Sequence, residues 1–119
     1  MTASIDPRTN ELLAVEISSD GPAVRVIARG EVDSASAPLL RAEIDVVLDD
    51  GPTQIVIDLD AVTFLDSAGL SVLAGAHRRA TAQGVAMRVL ASSRAVIRPL
   101  QITGLWQLLR AEQVSPGSA

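Results

Sequence analysis

Ser67 is the side chain in this sequence with the most chemistry open to it. It stands in Val62-Thr63-Phe64-Leu65-Asp66-Ser67-Ala68-Gly69-Leu70, with a carboxylate directly before it and small residues directly after. A hydroxyl in such a place can serve as a nucleophile, a phosphate acceptor or a helix cap. Spacing speaks against the nucleophile. A hydrolase elbow carries Gly two residues before its serine, where this chain has Leu65. The single histidine, His77, lies about 15 Å further along the same predicted helix, out of reach as a base. It continues an apolar stripe instead, the place of a half-buried packing residue. With one His and no Cys there is no donor set for a metal centre. A Walker-type phosphate loop needs a Lys, and the chain has none. The expectation is a protein with no catalytic residues, no metal and no cofactor.

Two readings of Ser67 remain. It falls between a predicted strand and a long predicted helix, at the helix N-terminus, where backbone N–H groups are unpaired and the dipole favours negative charge. A phosphoryl group there is tolerated by its own helix, so modification changes the surface without unfolding the domain. The plainer reading is an N-cap worth about 1 kcal/mol, and periodicity taken alone favours the cap.

The elements that must position this serine follow from hydrophobic spacing. Residues 1–10 are polar and contain Asp6-Pro7, a loose arm. Leu13, Val15 and Ile17 alternate with polar or small residues, as do Val24, Val26 and Ala28, and Ser19-Asp20-Gly21-Pro22 between them predicts a hairpin. Leu40, Ile44, Val47 and Leu48 lie at helical spacing behind Pro38, and Asp49-Asp50-Gly51-Pro52 stops that helix. Ile55-Val56-Ile57 is apolar on both faces, as a covered central strand should be.

A second helix is predicted over about 66–83, ended by Gly84, with Leu70, Leu73 and Ala74 as its core stripe and Ser67, Ser71, Gly75 and Arg78 on another stripe. A strand over 85–90 and a third helix capped by Ser92 or Ser93 follow; Pro99 predicts a kink or break in that helix. Gly104 sets off a short apolar piece, Leu105-Trp106-Gln107-Leu108-Leu109, in which Trp106 is a packing residue, and residues 111–119 read as a flexible tail. Each strand–helix–strand passage implies a parallel pair with a right-handed crossover. The fold class is therefore α/β: one domain over 11–110 with a mixed sheet and an N-terminal hairpin.

Bulk composition narrows the partners. The 119 residues include 48% hydrophobic side chains but one Phe, one Trp and no Tyr, so the core is aliphatic. Fourteen acidic residues oppose ten basic ones, all Arg, for a net charge of -4. An acidic chain without basic runs or aromatic clusters suits neither nucleic acid nor an anionic membrane. The absence of Cys excludes disulfides. Nothing resembles a secretory signal or the roughly 18 apolar residues of a membrane span, and the expected location is the cytoplasm.

The Asp66-Ser67-Ala68-Gly69-Leu70 run after Phe64-Leu65 closely resembles the Asp-Ser-Ser/Ala-Gly-Leu signature of the STAS domain, in the anti-sigma factor antagonist family. Gly30-Glu31-Val32-Asp33 looks like that family's Gly-Glu-Leu-Asp element, Ile57-Asp58-Leu59 with Val62 like its central strand and exit loop, and Thr103-Gly104-Leu105 like its Thr-Gly-Leu. The four stand in family order over residues 11–110. Ala68 replaces a second serine often found in the signature, which removes one alternative acceptor.

The resemblance implies partner switching. The unphosphorylated antagonist binds an anti-sigma factor that is a serine kinase and so frees a sigma factor; the kinase phosphorylates the signature serine, here Ser67, and the complex parts. A separate serine phosphatase restores it, and the ATP belongs to the kinase. Asp33, Asp66, Ser67 and Ser71 are then the candidate partner-binding residues. Asp33 and Ser67 leave strand ends that gather on one rim. For Asp33, contact with a basic group of the kinase and helix capping stand equal; for Asp66 capping leads, and neither role excludes the other. The alternative within the same fold is a STAS subunit of a stress-sensing or lipid-transport complex that acts by protein binding without serine phosphorylation.

Overall fold

The computed structural model describes residues 11–117. The expected arm at 1–10 and the last two residues of the expected tail lie outside the described residues. The hairpin is present: β1 (Leu13–Asp20) and β2 (Ala23–Val32) pair antiparallel, Leu13 opposite Gly30 and Ile17 opposite Val26. Its ladder ends at Gly30, where the pairing of β2 with β3 shifts register before Glu31. Gly30 has φ +116°, and a Cβ there would stand 2.1 Å from the Leu12 carbonyl oxygen. Only glycine fits that backbone.

Helix α1 (Ala37–Asp49) carries Pro38 in its first turn and buries Leu40, Ile44, Val47 and Leu48, the four positions its periodicity picked out. Strand β3 (Gln54–Leu65), helix α2 (Ser67–Gln83) and strand β4 (Ala86–Ala91) follow, and Gly84 closes α2 in the left-handed conformation. Helices α3 (Arg94–Ile102) and α4 (Leu105–Leu108) lead to a two-residue strand, β5 (Glu112–Gln113). The sheet order is β1-β2-β3-β4-β5, with every pair after the hairpin parallel.

One aliphatic cluster joins the layers. Val26, Ala28, Ile55, Ile57, Leu59, Val89 and Ala91 of the sheet pack with Leu40, Ile44 and Leu48 of α1, Leu73, Ala76 and Ala80 of α2, and Val96, Ile97 and Leu100 of α3. Trp106 packs against its edge, half-buried. The opposite sheet face carries Val56 and Leu90, both buried, and a row of charges: Glu16 with Arg29, Arg25 with Asp58, and Arg88 with Glu112.

Four expectations change. The core stripe of α2 is Gly69, Leu73, Ala76 and Ala80 rather than Leu70, Leu73 and Ala74. Leu70, Ala74 and His77 sit half-buried at its border. A helix this rich in Ala and Gly has small side chains on every side, so hydropathy alone does not fix which arc turns inward. Second, α3 runs continuously through Pro99. Third, Ser93 holds the N-cap position of α3, yet its hydroxyl does not cap. Ser93 Oγ donates to the Val62 carbonyl at 3.2 Å and Ser92 Oγ to the Asp60 carbonyl at 3.1 Å, so both serines fasten α3 to the end of β3. Fourth, the segment after Arg110 returns to the sheet. Glu112 and Gln113 pair with Leu90 and Ala91, and Gly117 N–H donates to Asp60 Oδ2 at 2.8 Å.

Candidate functional site

The site forms where β2 and β3 end. Val32 and Leu65 are register partners, and Asp66 N–H donates to the Val32 carbonyl at 3.2 Å. The residues that follow, Asp33 and Asp66, therefore leave the sheet side by side, and the common rim expected for Asp33 and Ser67 is present.

Asp66 caps α2. Its Oδ1 accepts from the amides of Ala68 at 2.9 Å and Gly69 at 3.4 Å, and its carbonyl accepts from Leu70 N–H at 3.0 Å. Ser67 is thus the first residue of the helix rather than its cap. Its side chain is exposed, and its hydroxyl has no hydrogen-bond partner among the described residues. The anion-binding amides are consequently already in use by a carboxylate, and the hydroxyl beside them is free of structural duty.

Gly69 explains how closely the helix seats. A Cβ there would lie 2.3 Å from Leu65 Cδ1 and 2.9 Å from Val32 Cγ1. Contacts that short do not occur, so the first turn of α2 rests directly on both strand ends because position 69 has no side chain.

Asp33 organises the approach to α1. Its Oδ1 accepts from Ala35 N–H at 2.8 Å and Ser36 N–H at 3.1 Å, and its carbonyl accepts from Ala37 N–H at 2.7 Å. Ser36, fully buried, accepts from Asp33 N–H at 2.9 Å and donates to the Glu31 carbonyl at 2.7 Å. Asp33 thus caps the turn at 34–36 that leads into α1 rather than the helix itself, whose N-cap position is Ser36, and Asp33 is half-buried. Ser36 escaped the sequence reading, although an acid three residues before a serine ahead of a helix-starting Pro is a helix-entry pattern.

Ser71, one turn beyond Ser67, is exposed and lines a groove of about 570 Å³ between α1 and α2 with Ser34, Pro38, Gly75 and Arg78. Arg79 crosses the same groove to Asp45 at 2.9 Å and to Asp49, tying the two helices together. The hydrogen bond to Asp49 pushes the Arg79 pKa further above its ordinary range. A Cβ at Gly75 would meet nothing closer than Arg78 Nη2 at 3.7 Å, so packing inside this chain does not require glycine there.

Among the described residues no group of three or more His, Cys, Asp or Glu is placed to hold a metal ion, and no helix is long and apolar enough to cross a membrane. Asp58 is a further carboxylate apart from the site. It is 1% exposed, accepts from Asp60 N–H at 2.9 Å, and its other oxygen faces Arg25 Nη1 at 3.9 Å with no hydrogen bond.

Residues 14–116 match the family model of the STAS domain. The anti-sigma-F factor antagonist RsfB of Mycobacterium tuberculosis is 40% identical over 81 residues, 68% of this chain and 66% of that protein. The anti-sigma-B factor antagonist of Bacillus subtilis is 30% identical over 103 residues, 87% of this chain and 94% of that protein. A crystal structure of an anti-sigma factor antagonist from Mycobacterium paratuberculosis superposes with a TM-score of 0.79 at 32% identity, covering 83% of this chain and 84% of the other. The chain belongs to the STAS domain family. Both sequence relatives are anti-sigma factor antagonists by name.

Proposed function

We propose that this protein is an anti-sigma factor antagonist that binds an anti-sigma factor with serine-kinase activity, so freeing a sigma factor, and that phosphorylation of Ser67 by that kinase ends the interaction. A serine phosphatase returns it to the binding form. The observation that carries this reading is the exposed Ser67 hydroxyl, unpartnered on a helix whose cap is supplied by Asp66. A kinase can reach such a hydroxyl, and a phosphoryl group added there breaks no structural bond. The antagonist names of the relatives supply the partner class.

In the bound form, Ser67, Ser71 and the Asp33 loop present one small-residue surface to the kinase, and the carboxylates of Asp33 and Asp66 offer acceptors to its basic groups. Phosphorylation adds about -1.5 to -2 charges at pH 7. In the free protein that charge stays hydrated near the positive end of α2. In the complex it must displace the surface shaped around a hydroxyl or lose its water, and both oppose binding.

The test is to incubate the protein with ATP and a purified anti-sigma factor kinase encoded in the same genome, then map phosphate by mass spectrometry. One phosphate on Ser67, absent from Ser67→Ala, is the expected result. A protein that binds the kinase and gains no phosphate belongs instead to a STAS assembly that works without this modification.

A further inference from the structure

The same end of β3 opens a second surface that phosphorylation does not use. Phe64 and Leu65 of β3 with Ala95, Pro99 and Ile102 of α3 line an apolar groove of about 540 Å³. Phe64 is 44% exposed and Ile102 74%. Apolar side chains gathered in a concave patch with a polar rim mark interaction surfaces.

The rim is cationic. Arg94 and Arg98 line the groove, and like Arg78 and Arg110 neither makes an ion pair with a described residue, whereas Arg25, Arg29, Arg41, Arg79 and Arg88 all do. On a chain of net charge -4, two unpaired guanidinium groups beside an apolar floor reverse the prevailing sign. Arg94, Arg98 and Ile102 follow at four-residue spacing, one stripe of a helix, with Ala95 and Pro99 on the adjoining stripe. That arrangement matches a ligand whose apolar side chains fall on one line and whose acids flank them.

We propose that this groove receives a segment of a partner protein that presents apolar side chains flanked by carboxylates. The apolar side chains cover Phe64 and Ile102, and the carboxylates meet Arg94 and Arg98. Binding here needs no phosphate on Ser67, and the surface lies beside that serine because Phe64 and Ser67 belong to one strand-to-helix passage.

The experiment is an NMR titration of the whole isotope-labelled chain with three peptides of about twelve residues. One has leucines at helical spacing flanked by glutamates; the second has lysines for the glutamates; the third has serines for the leucines. The first peptide is expected to shift the amides of Phe64, Leu65 and residues 94–98 and 100–103, and the other two are not. Arg94→Glu with Arg98→Glu should weaken the first peptide by about tenfold or more and admit the lysine peptide. Both arginines are exposed, and circular dichroism checks that the double variant folds. Ile102→Ser, tested separately, should weaken the first peptide without admitting the second. Equal response to the glutamate and lysine peptides, no response, or shifts confined to the α1–α2 groove overturns the proposal. So do shifts that depend on protein concentration alone, which give the groove to a second copy, and shifts produced by phosphatidylglycerol vesicles, which give it to a membrane.

Discussion

Asp66 holds the amides of Ala68 and Gly69 at 2.9 and 3.4 Å, while the neighbouring Ser67 hydroxyl makes no hydrogen bond with a described residue. The two residues divide the labour of a helix start: one supplies the cap and the other leaves its hydroxyl exposed.

Their substitutions should separate accordingly. Asp66→Ala removes the cap and should cost about 1 kcal/mol of unfolding free energy. Ser67→Ala removes an exposed, unpartnered hydroxyl and should stay within about 0.5 kcal/mol. Chemical denaturation measures both, and equal losses would mean that Ser67 carries structure after all.

Phosphorylation of Ser67 should leave the circular dichroism spectrum and melting temperature nearly unchanged, because attraction to the α2 N-terminus and repulsion from Asp66 oppose one another. Affinity for the kinase should fall by orders of magnitude, at about 1.4 kcal/mol per tenfold. Ser67→Glu should reproduce the loss only in part, having less charge and another shape. Calorimetry on both forms decides; equal affinities would sink the switch.

Asp33 calls for two variants. Asp33→Asn keeps an Oδ1 that can accept from Ala35 and Ser36, so stability should change little. Asp33→Ala loses those bonds and should cost about 1–2 kcal/mol. If the charge also meets a basic group of the partner, Asp33→Asn weakens kinase binding about tenfold and flattens its salt dependence. Unchanged affinity in the Asn variant would confine Asp33 to capping.

The two glycines of α2 should respond with opposite signs. Gly69→Ala forces a methyl group into Leu65 and Val32 and should destabilise by about 1–3 kcal/mol. Gly75→Ala makes only an ordinary van der Waals contact, 3.7 Å from Arg78 Nη2, and should stabilise by up to about 1 kcal/mol. If Gly75→Ala also abolishes partner binding, the groove admits a backbone at close range.

A pH effect is expected at the sheet edge. Arg88 donates to both oxygens of Glu112, at 2.8 and 2.9 Å, and these hydrogen bonds hold the Glu112 carboxyl below its ordinary range. A depressed folded-state pKa stabilises above the unfolded value, about 4.3, and that stability is lost as pH falls through the folded one. Both side chains are exposed, so the contribution is small, and the direct observable is the NMR titration of Glu112. Its midpoint should rise in Arg88→Ala; an unchanged midpoint refutes the pairing.

What could be read in advance divides along physical lines. Leu40, Ile44, Val47 and Leu48 were legible because large aliphatic residues at helical spacing leave one face to bury. Gly69, Ala76 and Ala80 were not, because small side chains give α2 no strong apolar direction. Strand β5 is too short for any period to register. Ser67 could be placed at a helix start, but whether Asp66 or Ser67 caps depends on backbone geometry that composition does not encode. The groove of Phe64, Arg94 and Ile102 joins residues from β3 and α3, and no local spacing foretells it.

The bond from Asp66 N–H to the Val32 carbonyl has a consequence in time. It fastens the exit of β3 to the exit of β2, so the Asp33 turn and the first turn of α2, which carries Ser67, share one frame. Surfaces that need no rearrangement associate at about 10⁵–10⁷ M⁻¹ s⁻¹, and variants of one interface differ mainly in how fast they part. Under the switch proposed above, a phosphate on Ser67 would act as a clock setting: encounters would continue at nearly the same pace, and what would change is how long each one lasts.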